Sequence, residues 1–203
     1  MTRIKLCGLS RLCDIEVANA LKPDYIGLVF APKSRRYVSP QRAAELKRLL
    51  HPDIAAVGVF VNEKIDTVAA LLQQGIIDMA QLHGCEDGTY IKELRTLTDK
   101  PVIKAFRVDT AQDAQRANAC GADLVLLDSG SGGTGTAFDW SLLSHVHRPY
   151  FLAGGLGIDN VTEAVRALHP YGVDVSSGIE TNGLKDRNKM TAFVAAVRKE
   201  DRI

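Results

Sequence analysis

A chain of 203 residues, 46% of them hydrophobic, holds enough material for one domain with a large core. Its 25 Lys and Arg against 24 Asp and Glu leave a net charge of +1, too evenly balanced to mark a nucleic-acid or membrane surface, so a small-molecule partner is the expectation. No apolar run approaches the roughly 18 residues of a membrane span, and the N-terminal MTRIKLCG lacks the long apolar region of a signal peptide; a cytoplasmic location is the default.

In chain order, Ile4 to Leu6 form a short strand that stops at Cys7-Gly8, and Ser10 offers an N-cap to a helix running to about Leu21. DYIGLVF is the second apolar run; it ends in the loop APKSRRYV, and Ser39-Pro40 restarts a helix with proline at its first position, where the missing N–H does no harm. IAAVGVFV precedes a helix from about Lys64 to Gln73, IDMAQLHG one from Asp87 to about Leu97, and PVIKAFRV one from Thr110 to Ala119. DLVLLD then delivers Asp128 to the glycine-rich stretch SGSGGTG, with a short helix near Asp139 to Ser144. YFLAGG leads to a helix with Asn160 at its cap and Glu163 three residues on, as in a capping box. GVDVSSG is the last apolar run; a long loop follows, then a helix with Met190, Phe193, Val194 and Val197 on one face.

Eight strand-helix units of about 25 residues fill the chain. The strands are apolar throughout rather than alternating, as in a parallel sheet covered on both faces. A doubly wound open sheet accommodates eight strands, but the number of units and the chain length favour a single-domain (β/α)8 TIM barrel over residues 1–203. Such barrels carry their chemistry at the C-terminal strand ends, which here are Cys7, the loop with Arg35 and Arg36, Asn62, His83, Arg107, Asp128, Gly154-Gly155 and Ser176-Ser177-Gly178.

Gly154, Gly155, Ser176, Ser177 and Gly178 follow strands 7 and 8, where barrels bind phosphate with backbone N–H groups. The stretch 130–135, GSGGTG, matches a dinucleotide fingerprint only formally, since no helix opens directly behind it; a loop that closes over ligand, anchored by Phe138 and Trp140, is the better reading. Cys7 and Asp128 end strands that lie roughly across a barrel from each other. A thiol serves as a base only as thiolate, and a carboxyl serves as an acid only if its proton is held, so one base and one acid flanking a phosphosugar suit a proton-transfer isomerisation. The kcat/KM profile of such a pair is a bell, with Cys7 expected on the acid limb and Asp128 on the alkaline one. One of Arg35 and Arg36 is a candidate carboxylate reader. His83 is a candidate for orienting a hydroxyl. Cys7, Cys13, Cys85 and Cys120 form no C-x-x-C pair, and His145 and His147 have no acidic or thiol neighbour, so no metal site is expected.

KLCGL at 5–9, SRRYVSP at 34–40, VGVFVN at 57–62, QLHG at 81–84, LLDSGSGGTGTAFDW at 126–140, LAGGL at 152–156 and GVDVSSGIE at 172–180 resemble the phosphoribosylanthranilate isomerases of tryptophan biosynthesis, in order and over almost the whole chain. The resemblance implies a (β/α)8 barrel and a cofactor-free Amadori rearrangement of N-(5-phosphoribosyl)anthranilate. By motif it makes Asp128 the general acid at the ribose ring oxygen and Cys7 the base at C2. Arg36 corresponds to the reader of the anthranilate carboxylate, and Gly154, Gly155, Ser176, Ser177 and Gly178 to the phosphate cradle. Asp174 and His83 take matching positions near the substrate. Two departures stand out: Arg35 occupies a position where the family usually has proline, and Gly157 one where it commonly has asparagine.

Two other functions fit the same pattern. One is the analogous ribonucleotide isomerisation of histidine biosynthesis, against which Cys7 counts because that family uses an aspartate there. The other is a barrel that binds a phosphosugar without turning it over, against which the intact Cys7 and Asp128 count. Association or fusion with a neighbouring pathway enzyme is compatible with the sequence.

Overall fold

In the structure, a computed structural model, residues 1–128 and 140–201 are described. The elements run β1 (Arg3–Cys7), α1 (Leu12–Leu21), β2 (Tyr25–Val29), α2 (Pro40–Leu49), β3 (Ala55–Phe60), α3 (Ile65–Gln73), β4 (Met79–Leu82), α4 (Gly88–Leu97), β5 (Val102–Arg107), α5 (Ala111–Ala119) and β6 (Leu124–Asp128). A 3-10 turn (Trp140–His145) follows, then β7 (Tyr150–Ala153), α6 (Val161–Leu168), β8 (Gly172–Val175), the short pair β9 (Glu180–Thr181) and β10 (Leu184–Lys185), and α7 (Arg187–Glu200). Strands β1 to β8 close into a parallel barrel, sealed where Lys5 of β1 stands opposite Asp174 of β8. Among the described residues no helix is long and apolar enough to cross a membrane.

The period of two along each strand divides the core into two shells. Ile4, Leu6, Ile26, Leu28, Val125, Leu127, Val173 and Val175 face outward into the layer beneath the helices, where Met190, Phe193, Val194 and Val197 of α7 also lie. Val57, Met79, Ile103, Ala105, Leu126, Phe151 and Ala153 fill the interior, with Tyr25 and Tyr171 set edge-on to Phe151 near its floor. By the same parity the interior faces of β1, β4, β6 and β8 end in Cys7, Gln81 and His83, Asp128, and Asp174. The fold therefore puts polar groups at one mouth because the strands run two residues past their last apolar layer.

The opposite mouth is pinned by a repeated clamp. Asp24, Asp78 and Asp123, each one residue before an even-numbered strand, accept the backbone N–H of Ile4 (2.9 Å), Ala56 (2.7 Å) and Val102 (2.6 Å) on the preceding strand. Arg3, Lys47 and Arg95 respectively neutralise them.

Three local expectations are corrected. Ser10 does not cap α1: the helix begins one residue later, with Arg11 at the cap, and the Asp14 carboxylate reaches back to the N–H groups of Ser10 and Arg11, so no hydroxyl is needed. Asn160 stands at the α6 cap but makes no cap hydrogen bond there; its side chain accepts from Gly157 N–H (2.9 Å) and donates to Gly155 O (3.0 Å), bracing the preceding loop. The loop after β8 is not structureless, since β9 and β10 pair antiparallel across it. The expected closing loop at 130–135, its anchor Phe138 and the helix start at Asp139 lie outside the described residues; Trp140 opens the 3-10 turn.

Candidate active site

A cleft of about 510 Å³ opens at the C-terminal ends of the strands, within the usual range for small-molecule sites. It is lined by Cys7, Arg36, His83, Asp128, Asp174 and the turns Gly154-Gly155 and Ser176-Ser177, so nine of the expected site residues meet in one place. Gly178 lines an adjoining cleft of about 330 Å³ that shares Gly155, Leu156 and Ser177 with the first.

Cys7 is 7% exposed and packs against Val29 and Val59. Gly27, its partner in register on β2, leaves it room: a Cβ there would lie 2.6 Å from Sγ. One turn of the strand below, Lys5 is fully buried and its Nζ donates to Asp174 Oδ1 at 2.9 Å. Burial pushes the Cys7 thiol above its ordinary value, against the pull of Lys5 and Lys185 and with a smaller push from Asp174. Burial by itself lowers the Lys5 ammonium, but Asp174 and Cys7 outweigh it and the net shift is upward. Lys5 is thus a held cation beside a thiol whose ionisation burial opposes.

On the facing wall, His83 Nε2 stands 3.5 Å from Asp128 Oδ2. Behind it the buried Gln81 amide lies 3.0 Å from His83 Nδ1. Asp128 itself closes β6 opposite Ala153 of β7.

Arg36 enters the cleft, whereas Arg35 is exposed and does not line it. Arg36 grips Glu180 with two hydrogen bonds, Nε to Oε1 at 2.6 Å and Nη2 to Oε2 at 2.8 Å, which leaves three of its five N–H groups for other partners. Lys185 completes the network: its Nζ donates to Glu180 Oε1 (2.5 Å) and to Ser176 O (2.9 Å) and Oγ (3.2 Å). Burial raises the Glu180 carboxyl, yet the hydrogen bonds from Arg36 and Lys185 prevail and hold it below its ordinary value. One carboxylate therefore connects the guanidinium to the serine turn after β8.

That turn faces Gly154 and Gly155, whose φ of 82° and 64° are open to glycine at little cost. Gly157 and Gly178 form a parallel bridge that ties the two turns side by side.

Two strand ends stay out of the site. Asn62 uses its side chain to accept from Cys85 N–H (2.7 Å), and Arg107 pairs with Asp109 on the surface (2.7 Å). Conversely, sequence reasoning passed over Lys5, Gln81, Glu180 and Lys185. For Lys5 and Gln81 a signal existed, since each lies two residues before an expected site residue on the same strand face. Among the described residues no cluster of three or more His, Cys, Asp or Glu is arranged to hold a metal ion.

The family model for N-(5'-phosphoribosyl)anthranilate isomerase matches residues 4–196. The chain belongs to the phosphoribosylanthranilate isomerase family. It is similar to the phosphoribosylanthranilate isomerase of Endomicrobium trichonymphae, 47% identical over 202 residues and covering 98% of this chain and 99% of the relative. Among solved structures it resembles the Thermotoga maritima phosphoribosylanthranilate isomerase (34% identity, TM-score 0.88, covering 98% of this chain and 100% of that one). It also resembles a phosphoribosylanthranilate isomerase in complex with reduced 1-(o-carboxyphenylamino)-1-deoxyribulose 5-phosphate (33% identity, TM-score 0.85, covering 98% and 100%). Of the readings the sequence left open, the family match selects the tryptophan-pathway phosphoribosylanthranilate isomerase.

Proposed function

We propose that this isomerase of tryptophan biosynthesis converts N-(5-phosphoribosyl)anthranilate to 1-(2-carboxyphenylamino)-1-deoxyribulose 5-phosphate by acid-base catalysis between Asp128 and Cys7. Asp128 gives its proton to the ribose ring oxygen, the C1–O bond breaks, and the anilinic nitrogen lone pair closes an iminium. The Cys7 thiolate then takes the proton from C2, the freed pair forms the enolamine, and protonation at C1 with loss of the C2 hydroxyl proton to solvent yields the ketone. The phosphate sits on the Gly154-Gly155 and Ser176-Ser177-Gly178 turns, and Arg36 reads the anthranilate carboxylate. Asp174 and His83 act beside the sugar, Asp174 through its pairing with Lys5.

What supports the reading is that Cys7 from β1 and Asp128 from β6 line one cleft whose rim holds a cation on one side and paired glycine and serine turns on another. A relative with the same fold holds a reduced form of the product. The chemistry fits as well: the buried Lys5 ammonium sits where a thiolate on Cys7 needs a counter-ion, and the substrate's two anionic ends match the two anion-seeking regions. A cytoplasmic location fits a reaction on a phosphorylated metabolite. The test is turnover by the wild-type chain, Asp128→Asn and Cys7→Ala, with the histidine-pathway ribonucleotide in parallel. Each substitution is expected to cost at least ~10²-fold in kcat/KM. Full activity in either variant sinks the corresponding role, and tight binding of the product analogue without turnover by wild type sinks the enzyme.

A further inference from the structure

Gln81 is 1% exposed, lines the substrate cleft, and turns one end of its amide to His83 Nδ1 at 3.0 Å. The other end, Oε1, is buried with no hydrogen-bond partner among the described residues. An orphaned buried acceptor is destabilising because it gives up its water hydrogen bonds for none in the fold, and this one lies beside the site. His83 in turn presents Nε2 to Asp128 Oδ2 at 3.5 Å. Amide, imidazole and carboxyl form a line of three groups, each of which has two hydrogen-bonding states.

Consider what the line must do during turnover, resting on the reading of Asp128 as the acid. Before the reaction Asp128 holds a proton and is a donor; after ring opening it is a carboxylate and only accepts. A neutral imidazole has one N–H and one lone pair, so it meets the ionised carboxylate with Nε2–H and the protonated one with bare Nε2. In the first state Nδ1 is an acceptor and needs the Gln81 NH2; in the second Nδ1 carries the proton and needs the Gln81 oxygen. A glutamine amide serves both by turning half a revolution about its last torsion. Because the far end of the amide has no partner among the described residues, that turn breaks no other hydrogen bond there. The Gln81 amide is placed for the first state, with its Nε2 3.0 Å from Nδ1. His83 is 36% exposed along its side chain, so the tautomers exchange by losing one proton to water and taking another from it.

We infer that Gln81 and His83 are positioning residues forming a two-state hydrogen-bond relay, which holds Asp128 in place in both its protonated and its ionised form. Asn, Ser or an apolar residue at position 81 supports at most one of the two states at this reach. The relay also gives the buried Gln81 oxygen a use that packing alone does not.

The experiment joins NMR and kinetics on the full chain. Long-range proton–nitrogen spectra, with the His83 signals assigned by comparison with His83→Gln, report the ring tautomer across the pH range of activity. His83 is expected to carry its proton on Nε2 while Asp128 is ionised and on Nδ1 while Asp128 holds a proton, and in Asp128→Asn this dependence is expected to vanish. Gln81→Met, close to glutamine in volume but unable to donate or accept, is expected to lower kcat at least tenfold with KM within about twofold, and to displace the acid limb of the kcat/KM profile. His83→Gln, whose amide again offers both donor and acceptor, is expected to keep more activity than His83→Leu. A His83 ring that holds one tautomer, or stays an imidazolium, throughout overturns the relay even if Gln81→Met does not fold. A Gln81→Met enzyme with wild-type kcat and pH profile overturns it too, as does one that changes KM alone, which would make Gln81 a ground-state substrate contact. If Asp128→Asn retains wild-type turnover, it is the acid assignment itself that fails, a result separable from all of these.

Discussion

Arg36 and Glu180 form a two-point ion pair across 144 residues of chain, at 2.6 and 2.8 Å, on the rim of the cleft. Glu180 fixes the plane of the guanidinium, and a planar group is useful to a carboxylate ligand only when its plane is fixed. Glu180→Gln keeps the shape but sets an NH2 against an Arg36 donor. Hydrogen bonds to charged groups are worth about 1.5–3 kcal/mol, so KM for phosphoribosylanthranilate is expected to rise ~10- to 100-fold, with kcat changed far less. Steady-state kinetics check this; an unchanged KM would show that Arg36 does not need its partner.

Lys5 and Asp174 bury opposite charges inside the barrel next to Cys7. Removing one member of a buried pair leaves the other uncompensated, at about 3–5 kcal/mol. Lys5→Met is therefore expected to lower Tm by roughly 6–20 °C at about 2–4 °C per kcal/mol for a domain of this size. The double substitution Lys5→Met/Asp174→Asn is expected to recover much of the loss. Thermal unfolding measured by circular dichroism decides; a single variant within about 2 °C of wild type contradicts the pairing argument.

Burial of Cys7 changes the pH reading made from sequence. Since the thiol lies above its ordinary value, the reactive pairing of thiolate with carboxylic acid is the minority protonation state. The product of the two fractions then rises with pH until the carboxyl ionises, is level between the two groups, and falls only when the thiol ionises. On the proposed roles, the alkaline limb is therefore expected from Cys7 and the acid limb from Asp128, the reverse of the order expected from the chain alone. The alkaline limb of kcat/KM is expected above the ordinary thiol value of ~8.5. Alkylation of Cys7 by iodoacetamide at neutral pH is expected to lag behind that of the exposed Cys13 and Cys85. An alkaline limb at or below neutrality, or Cys7 modified first, would count against it.

Asp113 caps α5, accepting from the N–H groups of Asp109 (3.0 Å) and Thr110 (2.8 Å) and pairing with Arg116. Against desolvation, the Thr110 hydroxyl, Arg116 and these amides hold its carboxyl down to about 2. A carboxyl depressed on folding adds stability that is fully present above its unfolded value of ~3.9 and is lost as pH falls through the folded one. The stability difference between wild type and Asp113→Asn is therefore expected to be largest above pH ~5 and to shrink toward pH ~2. Urea unfolding across that range checks the sign, and a difference that grows on acidification contradicts it.

Much of this was legible in the chain, for identifiable reasons. Runs such as VGVFV and LVLLD are apolar on both faces because both faces are covered, and where a polar residue closes such a run, as Asp128 and His83 do, it reaches the cleft, though Asn62 does not. The same parity, carried two residues back, places Lys5 and Gln81, which open KLCGL and QLHG, inside the barrel. The aspartates that open DYIGL, DMAQL and DLVLL are visible as a repeat, though their task of pinning the neighbouring strand needs the register. No local pattern announces Glu180 as the partner of Arg36, because the ion pair is made only when β8 closes on β1. Ser10 and Asn160 misled because a side chain able to cap loses to any better-placed partner.

The most direct test of the acid and base roles is the isotope effect on kcat/KM with substrate deuterated at C2 of the ribose, measured on Cys7→Ser and Asp128→Asn. Weakening the base makes C2 deprotonation limiting, so Cys7→Ser is expected to show a full primary effect. Weakening the acid makes ring opening limiting, so Asp128→Asn is expected to show none beyond unity. The reverse assignment, with a primary effect in Asp128→Asn and unity in Cys7→Ser, would contradict the division of labour between β6 and β1.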